Sequence, residues 1–285
     1  MEKWEKDLEL RNALMDSFND TVAMSKSDER LSESVKKSIE NQELHYGAYD
    51  YLSGRGGSRD GRVIISRNRT FDAAAAYKGK KIAVLNFASA VAPGGSGHKA
   101  TLTQEECLCR ESTLYSCISD ERCMDGFYSR HSYNDRMYNA DMIYTPNVTV
   151  FKSGDSVPVL RPREEWFNVD VITMAAPDIS MMRNKPSDDE LLKVFEERFT
   201  HIMGRAAEHG VDVLILGAFG CGMFGNDPFL VAVASARVLE KMRNRFDTVE
   251  FAVYEGRRKK CYRVFSLVMD RYRMVGQDNE PAMEE

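Results

Sequence analysis

The feature that most constrains this chain is a repeated change of hydrophobic period. Short apolar runs at 63–66, Ile82–Phe87, 148–151, 169–174, 211–216 and 249–253 alternate with helical patterns at 71–77, 104–118, 189–209, 228–244 and 261–272. The run Val213-Leu214-Ile215-Leu216 is apolar at every position, which suits a strand covered on both faces. Such alternation predicts a three-layer α/β/α domain around a mixed, mostly parallel central sheet. In sheets of this kind ligands lie beyond the carboxyl ends of the strands. The loops after Phe87, Met174 and Leu216 are therefore the places to look for chemistry.

A chain of 285 residues holds one large core plus an extension, at roughly 100–200 residues per domain. Residues 1–60 are polar and read as helical in pieces: Trp4, Leu8, Leu10 and Leu14 give a weak helical period, and 27–38 gives a second helix. The glycine-rich stretch 53–61 reads as a boundary. The expected organisation is a helical extension over 1–60, one domain over 61–275 and a tail over 276–285. A net charge of -5 argues against a protein that grips nucleic acid through a general basic field, and Arg257-Arg258-Lys259-Lys260 reads as a solvated turn. No apolar run reaches the roughly 20 residues that span a bilayer, so no membrane partner is expected. The N-terminus is charged and lacks the apolar centre of a secretory signal, so a cytoplasmic location is expected. Cys107, Cys109, Cys117, Cys123, Cys221 and Cys261 suit that compartment as free thiols. Their spacing lacks the paired C-x-x-C of a zinc site, and neither a metal nor a cofactor is expected. His98 and His131 read as solvated or capping side chains. Nothing in the sequence sets an oligomeric state.

After Phe87 the chain runs Ala88-Ser89-Ala90-Val91-Ala92-Pro93-Gly94-Gly95-Ser96-Gly97-His98. Small residues let a ligand lie against the backbone, and successive N–H groups can cradle an anion. The next helix begins at Gln104-Glu105-Glu106, whose polar groups project toward the same loop. Two structural readings stand beside a catalytic one: carboxylates capping free N–H groups at the helix start, and a Glu106–Arg110 pair at i,i+4.

The segments Val84-Leu85-Asn86-Phe87-Ala88-Ser89-Ala90, Pro93-Gly94-Gly95-Ser96, Gln104-Glu105-Glu106 and Arg110-Glu111-Ser112-Thr113-Leu114-Tyr115 resemble the microbial poly(ADP-ribose) glycohydrolases. That family is a macrodomain branch whose signature is three glycines, a short spacer and Gln-Glu-Glu. The likeness continues at 143–151, 172–177 and 216–228, in the family's order. It implies a macrodomain-like fold and hydrolysis of O-glycosidic ribose linkages in ADP-ribosylated proteins or nucleic acids. It further implies that Glu106 is the general acid/base, that Glu105 beside it contacts the ribose, and that Asn86 with Gly94, Gly95 and Ser96 holds the distal ribose, with Gln104 among the binding residues. Phe71-Asp72-Ala73-Ala74 resembles the family's segment beside the adenine pocket. Ser96 departs from the pattern by standing where the third glycine belongs.

The second loop, Gly217 to Pro228, follows a buried strand and ends in Asp227-Pro228, a good N-cap with a first-turn proline. By composition it is as much a structural turn as a phosphate loop. The resemblance assigns Gly220, Cys221, Gly222, Met223, Phe224 and Asn226 to binding, with the diphosphate against Gly220 to Phe224 and Phe224 on the distal ribose. Cys221 reads as lining and not as a nucleophile, since no histidine is near it in sequence. Three alternatives remain open on sequence: a non-hydrolytic ADP-ribose reader, a hydrolase removing single ADP-ribose units from a side chain or a DNA base, and a nucleoside-diphosphate-sugar enzyme.

Overall fold

A computed structural model describes residues 3–47, 49, 57–95, 100–154, 156–254 and 260–277. Ser96, Gly97, His98, much of the glycine-rich boundary stretch, the basic residues Arg257 to Lys259 and most of the expected tail lie outside these described residues.

The strands are β1 (Glu43–His45), β2 (Arg62–Ser66), β3 (Ile82–Phe87), β4 (Met142–Val150), β5 (Phe167–Met174), β6 (Val213–Leu216) and β7 (Thr248–Ala252). They form one sheet in the order β1-β4-β5-β3-β6-β7-β2. Five neighbours, β5, β3, β6, β7 and β2, run parallel, while β4 is antiparallel to both β5 and β1. The sheet is mixed and mostly parallel, as the alternation predicts.

The helices are α1 (Lys3–Ser27), α2 (Glu29–Glu40), α3 (Thr70–Ala75), α4 (Gln104–Glu111), α5 (Leu114–Ile118), α6 (Glu121–Gly126), α7 (Asp188–Glu208), α8 (Pro228–Met242) and α9 (Cys261–Gln277). Successive strand side chains point to opposite faces, so each strand feeds two cores. On one face Leu85, Ile172 and Leu214 pack with Phe195 and Ile202 of α7, Val231 of α8 and Phe265 of α9. On the other, Val84, Val171 and Ile215 pack with Phe18 of α1, Phe71 of α3, Leu108 of α4 and Ile118 of α5. These are the three layers.

Several boundaries differ from the sequence reading. The single helix expected over 104–118 is two, because Ser112 leaves helical geometry (φ -147°, ψ 176°) to bridge Val150. Thr113 then exchanges bonds with Thr149, its N–H donating to the Thr149 carbonyl and its Oγ1 accepting from the Thr149 N–H, each at 3.0 Å. Short hydroxyl side chains that bond the backbone compete with helix in this way. The strand expected at 148–151 begins at Met142 and passes through a bulge between Thr145 and Val148, where Asn147 takes φ 58°. Strand β1 carries no apolar run and was not expected. Helix α1 forms, but Trp4, Leu8 and Leu10 are exposed; its inward stripe is Leu14, Phe18, Thr21 and Ser25. Thr21 Oγ1 donates to the Arg110 carbonyl at 2.7 Å, and buried Lys152 meets Asp20 at 2.7 Å, fixing α1 against the strand-and-helix layer.

No helix among the described residues is long and apolar enough to cross a membrane.

Candidate active site

The candidate site lies at the carboxyl ends of β3, β5 and β6. The three loops touch one another. The Ala88 N–H donates to the Met174 carbonyl at 3.0 Å, and the rings of Phe87 and Phe219 lie 5.7 Å apart. Asn226 donates to the Pro177 carbonyl at 2.8 Å, and the Ser180 N–H to the Phe224 carbonyl at 3.1 Å.

Helix α4 starts beneath the first loop. Its N-cap, Thr103, makes no side-chain bond to the helix backbone. The three polar residues of the first turn do different work. Gln104 clips the end of β3: its Oε1 accepts from the Phe87 N–H at 2.9 Å, and its Nε2 donates to the Leu85 carbonyl at 2.7 Å and to Thr70 Oγ1 at 3.1 Å. Glu105, buried, takes the N–H of Ser89 at 2.8 Å on one oxygen. Its other oxygen takes the Gly94 N–H at 3.2 Å and Asn86 Nδ2 at 3.3 Å. Glu105 thus folds the loop back on the helix.

Glu106 is also buried, 3% exposed, and its Oε2 accepts from the Thr103 hydroxyl at 2.9 Å. Its other face rests on Gly95, where φ is +92° and a Cβ would lie 2.8 Å from Oε1. A side chain is excluded there by both the backbone conformation and the carboxylate. Arg110, the proposed i,i+4 partner, donates to the Thr101 carbonyl at 2.6 Å.

Asn86 is fully buried, donates to Glu105 and to Thr173 Oγ1 (3.2 Å), and leaves Oδ1 without a hydrogen-bond partner. Tyr128 packs beneath α4 with its hydroxyl unpartnered, and burial first, then the Glu105 carboxylate, pushes that phenol well above its usual range.

In the second loop Gly220 (φ +75°) and Gly225 (φ +74°) turn the chain, and Asn226 Nδ2 also donates to the Gly220 carbonyl at 2.9 Å. The N–H groups of Gly222, Met223 and Phe224 make no hydrogen bond among the described residues. Three consecutive unbonded donors are what a loop that takes an anion has to offer. Met223 is 77% exposed, and Phe224 is half-buried against the core. Asp227 caps α8 by accepting the Phe229 N–H at 2.9 Å, ahead of Pro228. Burial holds the Cys221 thiol well above its usual range, which suits a lining residue and not a thiolate. His131 is tied to the Phe127 carbonyl and to Asn139, both at 2.8 Å, as a structural side chain.

Sequence reasoning missed the residues that hold these groups: Thr103, Thr70 and Thr173, whose hydroxyls position Glu106, Gln104 and Asn86. It also missed Arg198, fully buried on the apolar face of α7, which donates to the carbonyls of Ala175 (2.6 Å), Met137 and Tyr138. It braces the loop after β5 against residues 137–138. A lone arginine between Phe195 and Phe199 was the available signal.

A mixed sheet between two helical layers, with glycine-rich loops at its carboxyl edge and a buried Gln-Glu-Glu helix start, defines a macrodomain-like protein. Residues 15–153 match a family model described as microbial-type PARG, catalytic domain, where PARG is poly(ADP-ribose) glycohydrolase. The poly(ADP-ribose) glycohydrolase of Thermomonospora curvata bound to the inhibitor ADP-HPD shares 26% identity, with 90% of this chain and 99% of that chain covered and a TM-score of 0.76. That of Deinococcus radiodurans in complex with ADP-ribose shares 28% identity over 83% of this chain and 97% of that chain, with a TM-score of 0.73. No curated protein sequence matches the chain. By these matches the chain is similar to the microbial-type poly(ADP-ribose) glycohydrolase family.

Proposed function

We propose that this protein hydrolyses the O-glycosidic ribose linkage of ADP-ribosylated substrates, with Glu106 as the general acid/base. The observation that carries the reading is the division of labour in the first turn of α4. Both oxygens of Glu105 are taken up by loop N–H groups and Asn86, whereas Glu106 is bound to protein through the Thr103 hydroxyl on Oε2 and rests on the floor of the loop through Oε1.

Most glycosidases place two carboxyl groups on opposite sides of the scissile bond. Adjacent helical residues point about 100° apart and do not flank one bond. Glu106 therefore serves both half-reactions. Its protonated carboxyl donates to the leaving oxygen as the anomeric C–O bond breaks. The resulting carboxylate then takes a proton from the water that attacks the oxocarbenium-like carbon, which restores the acid. Glu105 acts by holding the loop that carries Gly94 and Gly95. The unpartnered Oδ1 of Asn86 is an acceptor suited to a ribose hydroxyl, and the N–H groups of Gly222 to Phe224 suit the diphosphate. Phe224 offers a ring to the distal ribose. The macromolecules carrying the modification are ADP-ribosylated proteins or nucleic acids, and the compartment is the cytoplasm.

The test is Glu106→Gln. Calorimetry is expected to show ADP-ribose binding retained, while release from a modified substrate falls by about 10²–10⁴-fold, the usual worth of a positioned acid/base. Wild-type turnover in the variant would reject the mechanism. Binding without release by the unaltered protein would reject hydrolysis itself and leave a reader.

A further inference from the structure

On the opposite margin of the sheet from β2, tertiary structure assembles a set of donors that no sequence spacing announces. Glu43 and His45 are two residues apart on edge strand β1, so their side chains share one face. His209, the C-cap residue of α7, meets them there. Glu43 Oε2 lies 2.9 Å from His45 Nε2 and 3.3 Å from His209 Nε2, and one ligand atom from each of the three residues falls within 4.8 Å of the others. We propose that Glu43, His45 and His209 bind a divalent transition ion of the Zn²⁺ class.

The geometry suits such an ion. Zinc bonds to nitrogen and carboxylate oxygen are about 2.0–2.2 Å, so tetrahedral ligand atoms lie about 3.3 Å apart, close to the two distances from Glu43. Two histidines and one glutamate form a three-ligand set that leaves the fourth position for water. The His209 ring is fixed by stacking on Tyr144, with centroids 3.7 Å apart and planes at 12°. Tyr144 is paired with Glu43 in the β1–β4 register, so one strand pair orients two of the ligands.

A second observation points the same way. The buried Nε2 of His45 has no hydrogen-bond partner, although the Glu43 carboxylate is beside it. Arg205 opposes a cation, but its guanidinium pairs with Glu208 at 2.8 Å. The carboxyl end of α7 favours positive charge, and Glu43 supplies a full negative one. A bound ion would clip the short edge strand β1 to α7, covering an otherwise weakly held edge.

The test uses the full chain stripped of metal. Titration with Zn²⁺ is expected to show one equivalent bound. Co²⁺ is expected to give d–d bands of a four- or five-coordinate ion without the thiolate charge-transfer band that the cysteines would produce. Glu43→Gln and His209→Gln should each weaken Zn²⁺ by more than the about 10–100-fold lost when an outer partner of a metal ligand is removed. Both variants should keep wild-type ADP-ribose release, which verifies their folding. The proposal is overturned if Zn²⁺ does not bind, if either variant keeps wild-type affinity, or if the Co²⁺ spectrum shows thiolate ligation.

Discussion

Replacing Gly95 by alanine tests the contact on which the catalytic reading rests. The new Cβ would lie 2.8 Å from Oε1, 3.1 Å from Cγ and 3.3 Å from Cδ of Glu106, against an ordinary contact of at least 3.4 Å. The carboxyl group must therefore withdraw by about half an ångström, with a shift of about 1 Å near reacting atoms costing about 10²-fold. That movement strains the 2.9 Å bond from Thr103, the tie that sets the carboxyl plane. A separate cost comes from the backbone, since φ +92° is a conformation L-residues rarely adopt, and a left-handed residue costs about 1–2 kcal/mol. Thermal unfolding should register only a few degrees for that loss, at about 2–4 °C per kcal/mol. Turnover should suffer more, with kcat down about 10–100-fold. Single-turnover release of ADP-ribose from a polymeric substrate, alongside calorimetry for ADP-ribose, separates chemistry from binding. A variant that folds and turns over within about twofold of the parent would show that Glu106 need not stay where the glycine places it, and would refute the argument.

The second loop makes a paired prediction. A Cβ at Gly220 would sit 2.6 Å from the Ala176 Cβ at φ +75°, whereas at Gly222 it meets nothing within 4 Å. Gly220→Ala should therefore lower the unfolding midpoint, and Gly222→Ala should leave it unchanged while weakening ADP-ribose in calorimetry; equal midpoints for the two variants would count against the loop geometry. A third prediction concerns pH. His201 is buried with Nδ1 on the Ala140 carbonyl at 2.9 Å and Nε2 unpartnered, and burial lowers its pKa from 6.5 to about 4. The unfolded chain then binds this proton first, so stability is intact above pH 6.5 and is lost as pH falls from 6.5 toward 4, by about 3 kcal/mol in all. Urea melts between pH 7 and pH 4.5 should show His201→Asn losing less stability than the parent, and parallel losses would rule out His201 as the source.

Most of the fold was legible because the parallel strands are buried on both faces and must be apolar throughout. β3 was bounded correctly, and β6, β7 and α7 to within a few residues. What escaped had a physical reason in each case. β1 is Glu-Leu-His, an edge strand whose partner on one side alone supplies its ladder, so it needs no apolar run. The early part of β4 is interrupted by Pro146-Asn147, which in sequence reads as a turn and in space is a bulge. In α1 the buried stripe includes Thr21 and Ser25, whose hydroxyls bond to carbonyls of the preceding helical turn and, for Thr21, to Arg110 as well. Hydrophobic periodicity is blind to such polar burial.

The site was legible in a different way. Sequence order and family likeness brought Gln104-Glu105-Glu106 to the first loop and implied proton transfer for Glu106 and a ribose contact for Glu105, without a physical reason for the division. Side-chain position separates them. Glu105 meets two loop N–H groups and the Asn86 amide, and an N–H left buried and unpaired costs about 1–3 kcal/mol. A carboxylate so engaged is held in place by its donors, whereas a proton shuttle must give up a proton and take one back. Glu106 meets a hydroxyl on one oxygen and the α-carbon of a glycine beside the other. A hydroxyl can donate to the carboxylate or accept from the acid, so Thr103 can follow Glu106 through both of its protonation states. The pairing of a loop-binding acid with an adjacent proton-transferring one explains why two carboxyl groups occur in sequence where the chemistry needs one. It also explains why Gly95, where a Cβ would meet the carboxyl group, lies against the second.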